Sequence, residues 1–146
     1  MTDTNKESRA GSAQLHCFNP PMIHEPSSRY SHGVIHAIGP GLRRLVISGQ
    51  VGVAPDQSIA SDLAAQVEQA WDNLLAVLAA AGMGPEHIVK LTTFVTDPSP
   101  ETVKLCREVR SRRLGAHAPA STFLVVAGLA SPAFKVEIEA EAIASI

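Results

Sequence analysis

Apolar and polar positions along this chain repeat with two different periods, and each change of period marks a boundary. Met1 to about Gln14 is polar and small with no period, so residues 1–15 are expected to form a disordered tail, with one folded domain over 16–146. Phe18-Asn19-Pro20-Pro21-Met22 opens that domain as an irregular segment, because two successive prolines supply no ladder donors. Tyr30 to Ile38 (YSHGVIHAI) reads as a strand, Gly39-Pro40-Gly41 as its turn, and Leu42 to Val53 (LRRLVISGQVGV) as the returning strand of a hairpin. Gly49 and Gly52 indicate a bulge, or a place where another group comes close to the backbone.

The period then lengthens. Ile59, Leu63, Val67, Trp71, Leu74 and Leu78 recur at spacings of 4, 4, 4, 3 and 4, which is one face of a helix. Ser58 or Ser61 caps its start, Gly82 and Gly84-Pro85 end it, and Trp71 on the stripe is a core residue. Ile88 to Thr96 (IVKLTTFVT) is β-branched and reads as a strand. Ser99 as cap, Pro100 in the first turn and Glu101 near the positive end of the dipole open a second helix that runs to about Leu114. Ser121 to Val126 is a further strand. Phe134 to Ile143 is the last one, with Val136, Ile138, Ala140 and Ala142 alternating with Glu137, Glu139 and Glu141.

The resulting order is ββαβαββ. Right-handed crossovers place both helices on one face of a single mixed sheet, which makes this an α+β domain. Nothing remains in the chain to cover the other face. The glutamates of the last strand argue that water covers it, whereas the apolar strands 91–95 and 123–126 argue for a partner subunit. Because monomers rarely expose apolar patches of that size, a homo-oligomer is expected.

Composition narrows the function classes. The 146 residues are 45% apolar, enough for a proper core, but only 4% aromatic, which leaves few stacking platforms for single-stranded nucleic acid. A net charge of −2 and the lack of a long basic run give no attraction to phosphate backbones or anionic membranes, so neither partner is expected. The longest apolar stretch, LLAVLAAAG from Leu74, is far short of the ~20 residues of a membrane span. The N-terminus has no apolar signal-peptide core, and a cytoplasmic location is the expectation.

Candidate metal ligands do not assemble. Cys17 and Cys106 form neither a disulfide framework nor a zinc pattern, and Cys106 falls on the apolar side of the second helix. His32 and His36 share a strand face but lie roughly 13 Å apart, and His16 and His24 sit in irregular segments, so no metal site is expected. Arg107, Arg110, Arg112 and Arg113 form the densest basic cluster and read as a solvated helix face.

Several of these segments together resemble one family. Tyr30-Ser31-His32 precedes the hairpin, and Ser48-Gly49-Gln50 lies in its second strand. Gln66, Asn73, Leu78 and Ala81-Gly82 follow along the first helix. Val89-Lys90-Leu91-Thr92-Thr93-Phe94-Val95-Thr96-Asp97, Pro119-Ala120-Ser121-Thr122 and Val136-Glu137-Ile138-Glu139-Ala140 complete the set. In order and spacing, from about Pro20 to Ala144, this is similar to the RidA/YjgF family.

The resemblance implies a chorismate-mutase-like fold, a homotrimer with clefts between subunits, and hydrolysis of reactive imines or enamines to a carbonyl compound and ammonia without a metal or organic cofactor. It further implies substrate contacts from Tyr30, Ser48 and Gly49, and a catalytic carboxylate at Glu137. The phrase Glu139-Ala-Glu141-Ala-Ile-Ala leaves Glu139 as the other candidate for that role. After Pro119-Ala120 the family's deaminases carry an arginine that forks onto the substrate carboxylate; here the residue is Ser121, with Thr122 and Phe123 following. Arg107 is a candidate for a displaced anchor. The substitution points away from small amino-acid enamines toward a less charged or more aromatic small molecule. The alternative function is a non-catalytic small-molecule-binding or regulatory trimer of the same fold. A ribonuclease role is disfavoured by charge and composition, and chorismate-mutase chemistry by the want of cations around a dicarboxylate site.

Overall fold

The computed structural model describes residues 14–145; the tail expected over 1–15 lies almost wholly outside them. Strand β1 spans His16–Phe18, β2 Gly33–Gly39, β3 Leu42–Val51, β4 Ile88–Val95, β5 Ala120–Val125 and β6 Val136–Ser145, with helices α1 at Leu63–Ala80 and α2 at Pro100–Leu114. They form one sheet in the order β1-β2-β3-β6-β4-β5, in which only β4 and β5 run parallel. The α+β mixed sheet with two helices stands, but the order is βββαβαββ. His16–Phe18, expected as an irregular lead-in, pairs with β2 as an edge strand, and three residues suffice because β2 supplies the template.

Each element has a local cause. The β2–β3 hairpin turns at Pro40-Gly41, where Gly41 takes φ +70, a conformation that favours glycine. Helix α1 starts at neither Ser58 nor Ser61: Asp62 is its cap and accepts from the Ala65 N–H at 3.0 Å. Ile59 therefore lies outside the helix, in a turn closed by a bridge to Val53. Helix α2 begins as expected, with the Ser99 hydroxyl accepting from Thr102 N and Pro100 in the first turn.

Alternation sorts the strands into two faces. Leu45 and Ile47, Leu91 and Val95, and Val136, Ile138, Ala140 and Ala142 turn toward the helices, where α1 packs across β3 and β6 and Trp71, Leu74 and Leu78 fill the space. Helix α2 adds Cys106, Val109 and Leu114 to the same core. Burying one such aliphatic side chain contributes roughly 1.5–3 kcal/mol. The opposite face carries Arg44, Val46, Lys90, Thr92, Phe94, Leu124 and the glutamates of β6, and no described element of this chain covers it. No helix among the described residues is long and apolar enough to cross a membrane.

Candidate active site

The site begins as a defect in the β3–β6 ladder. Ile47 pairs with Ala140 and Gln50 with Ile138, so Ser48 and Gly49 together oppose Glu139 and bulge out of register. Ser48 is tied down on two sides: its N–H donates to the His32 carbonyl at 3.0 Å, and its hydroxyl to the Ser31 carbonyl at 2.6 Å. Gly49 is required for a different reason. A Cβ there would stand 2.6 Å from the Glu137 carboxyl carbon, well inside contact distance, so the bare backbone is what lets this carboxylate lie across the bulge.

Around this floor a cavity of about 480 Å³ opens, with Tyr30, Ser48, Gly49 and Glu137 all in its lining. Glu137 is half-buried. Loss of solvent raises its carboxyl above the ordinary carboxylate range, and the charge of Glu139, two residues on, adds to the shift. Glu139 is exposed and lies outside the cavity, against Lys90 and Thr92. Of the two candidate carboxylates, Glu137 lines the cavity and Glu139 does not.

Two buried amides of α1 hold the cavity wall. Asn73 Nδ2 donates to the carbonyls of Val51 (3.0 Å) and Val53 (2.9 Å), satisfying backbone at and just beyond the end of β3. Gln66 Nε2 donates to the Ala133 carbonyl at 2.9 Å while its Oε1 accepts from the Lys135 N–H at 2.9 Å, clamping both sides of Phe134. The opposite wall hangs on His32. This histidine is buried ahead of β2 rather than within it. Its Nε2 donates to the His24 carbonyl at 2.8 Å, and its Nδ1 accepts from Gln50 Nε2 at 3.1 Å. That pairing requires a neutral ring, in keeping with burial, which lowers its pKa below the usual histidine value.

The other expected substrate contacts do not join this cavity within one chain. Ser121 and Phe123 pair with Leu91 and Thr93, which places them on the helix-facing side of the sheet. Phe123 packs against the core, and the Ser121 hydroxyl takes Arg110 Nη1 at 3.1 Å. Thr122 is on the open face, where its hydroxyl accepts from Lys90 Nζ. Arg107 is exposed on α2. Cys106 is buried, its thiol pushed up to about 11 by loss of solvent. Among the described residues no three candidate ligands converge on a metal position.

His24, Glu25, Ile59 and Phe134 also line the cavity, and none is singled out as a site residue by the sequence. For Ile59 a signal exists: Ala54-Pro55-Asp56-Gln57-Ser58 is a turn sequence, and it detaches the residue from the helix stripe. For His24 and Glu25 no periodicity offers one.

The model of the Endoribonuclease L-PSP family matches residues 22–144. A RutC family protein YjgH from Escherichia coli (strain K12) is 41% identical over 76 residues, half of this chain and 58% of that protein, so the match spans less than two thirds of this relative. The 2-iminobutanoate/2-iminopropanoate deaminase of the same strain is 36% identical over 115 residues, 73% of this chain and 89% of the relative. The crystal structure of RidA from the Antarctic bacterium Psychrobacter sp. PAMC 21119 superposes with a TM-score of 0.77 at 27% identity, covering 90% of this chain and 99% of that one. A matched domain of 123 residues, the bulged Ser48-Gly49 and the half-buried Glu137 agree with one another: this chain belongs to the Endoribonuclease L-PSP family, also known as RidA/YjgF.

Proposed function

We propose that this protein is an imine/enamine deaminase that takes a small molecule into the cavity above Ser48-Gly49, with Glu137 as its proton-transfer group. One observation carries the reading. A carboxylate raised in pKa by burial is held against a glycine backbone inside a cavity, which is the state a general base needs near neutral pH. The kinship with a 2-iminobutanoate/2-iminopropanoate deaminase supports the reaction class.

Hydrolysis of a protonated imine consumes one water and yields a carbonyl compound and an ammonium ion. It needs a water delivered to the imine carbon and a proton carried from that water to the leaving nitrogen. Glu137 accepts a proton from water as the C–O bond forms. It returns that proton to nitrogen, the C–N bond breaks to release ammonia, and the proton of the remaining hydroxyl passes to the ammonia, leaving the neutral carbonyl compound and an ammonium ion. Tyr30 and the Ser48-Gly49 backbone orient the substrate. The chemistry draws on no cofactor.

The uncovered sheet face, with Val46 and Leu124 exposed on it, supports a homotrimer whose subunits meet there and whose clefts bring Thr122 of a neighbour, which lies on that face, toward the cavity. Sedimentation should give about 46 kDa, three times the 15.4 kDa chain. The activity test is ammonia release from imines generated in place by an amine or amino-acid oxidase. Ser121 in place of the family arginine favours a second reading, a non-catalytic ligand-binding trimer. Binding of a small molecule in the cavity with no acceleration of ammonia release from any imine would select it.

A further inference from the structure

The charges lining the cavity define what it will accept. Glu25 stands at its rim and Glu137 on its floor, and neither has an ion-pair partner among the described residues. No described lysine or arginine lines it. Arg29, which sits in sequence between the lining residues Ser28 and Tyr30, is not part of the wall. The cations of neighbouring segments are engaged elsewhere: Lys135, beside Phe134, with the Ser61 carbonyl at 2.6 Å, Arg44 with Glu141 at 2.6 Å, Lys90 with Thr122, and Arg110 with Ser121.

His24 adds a buried imidazole to the wall. The residue is 6% exposed, and its Nδ1 stands 3.1 Å from the Glu25 carbonyl. A carbonyl only accepts, so in this geometry the proton is on Nδ1. Nε2 is buried and without a hydrogen-bond partner among the described residues. The remaining wall, Val51, Val53, Ile59, Ala130 and Phe134, is apolar. At about 480 Å³ the space is far larger than a three-carbon enamine requires.

We infer that the cavity selects cationic, carboxylate-free imines with an apolar or aromatic body, the protonated imines left by oxidation of primary amines rather than of amino acids, and that Glu25 is a specificity-determining residue. This inference rests on the deaminase reading and names its substrate class. A carboxylate brought beside two unpaired glutamates is repelled. An iminium N–H⁺ meets acceptors, and its apolar body displaces water from the Val51–Ile59–Phe134 wall. The reaction balances as above: one protonated aryl aldimine and one water give the aryl aldehyde and one ammonium ion.

The test is equilibrium binding, which does not depend on turnover. The full-length protein in its native assembly is titrated at pH 7 and low salt with benzylammonium, benzyl alcohol and benzoate. The expected order is benzylammonium, then benzyl alcohol, then benzoate, with about tenfold or more between the two ions. Glu25→Gln should reduce the preference about three- to fivefold, the effect of one exposed charge, and Glu25→Lys should reduce it further. High salt should compress it. Benzoate binding as tightly as benzylammonium, no binding of any probe at millimolar concentration, or an undiminished preference in Glu25→Gln would overturn the inference. Ammonia release is measured separately and tests the deaminase reading alone. Selective benzylammonium binding without any turnover would end that reading and keep the ligand class; preferred hydrolysis of carboxylated imines would do the reverse.

Discussion

Replacing Gly49 with alanine isolates what the β3 bulge contributes. The backbone of Gly49 lies outside the positive-φ region, so alanine adopts it without strain. The added methyl would meet the Glu137 carboxyl carbon at 2.6 Å, whereas non-bonded carbons settle at roughly 3.5 Å or more. The carboxylate oxygen Oε1 lies closer still, so the carboxylate must retreat by more than about 1 Å, and as the end of a flexible side chain it can do so without moving the sheet. Glycine-to-alanine changes at compatible positions stabilise by about 0.4–1 kcal/mol through the unfolded chain, so the melting temperature should hold or rise. Activity should not hold. A misplacement of about 1 Å in a reacting group lowers turnover on the order of 10²-fold. The assay is steady-state ammonia release by Gly49→Ala, Glu137→Gln and the double variant, beside thermal melts. If alanine acts by displacing this carboxylate, the double variant is no slower than Glu137→Gln alone, because the group it displaces is already disabled. Wild-type turnover in Gly49→Ala, or losses that multiply in the double variant, would refute the reasoning.

Other outcomes follow from the same geometry. Glu137→Gln should lower turnover by about 10²–10⁴ with the assembly intact, while Glu139→Gln, exposed outside the cavity, should cost little; the reverse order by ammonia assay would transfer the role to Glu139. The acid limb of activity should fall above the ordinary carboxylate range, and Glu139→Gln should move it to lower pH, since the Glu139 charge helps hold the Glu137 carboxyl up. Because the folded state binds this proton more tightly than the unfolded chain, the group's stabilising effect is present at low pH and is lost as pH rises through the raised value. Glu137→Gln should thus raise the melting temperature relative to wild type at pH 7–8 but not at pH 4. Gly52→Ala is the structural counterpart of Gly49→Ala: its Cβ would stand 2.6 Å from the Gln66 Cα, which is backbone and cannot swing away, so a loss of about 1–3 kcal/mol in denaturant unfolding is expected.

Much of this molecule was legible in its sequence because local periodicity and cap chemistry act within a few residues. The stripe from Leu63 to Leu78, the Ser99-Pro100 helix start, the hairpin around Gly41 and the alternation of β6 each depend on near neighbours, and each appears where its pattern places it. Gly49 and Gly52 likewise announce close approach, although not of what. Period 2 states which residues of a strand share a face, but not which strand lies alongside. Only the pairing of β5 with β4 shows that Ser121 and Phe123 turn toward the helices while Glu137 faces the other way. Three residues at His16–Phe18 have no strand pattern of their own and become one by hydrogen bonding to β2. The walls of the cavity were the least legible part. His24 and Glu25 lie in a segment without period, and Phe134, read as the start of the last strand, falls before β6; long-range hydrogen bonds from His32 and Gln66 hold their backbone in place. Such bonds join positions 8 to 69 residues apart, so the charge of the cavity, and with it the chemistry of what can enter, is a property of the folded chain.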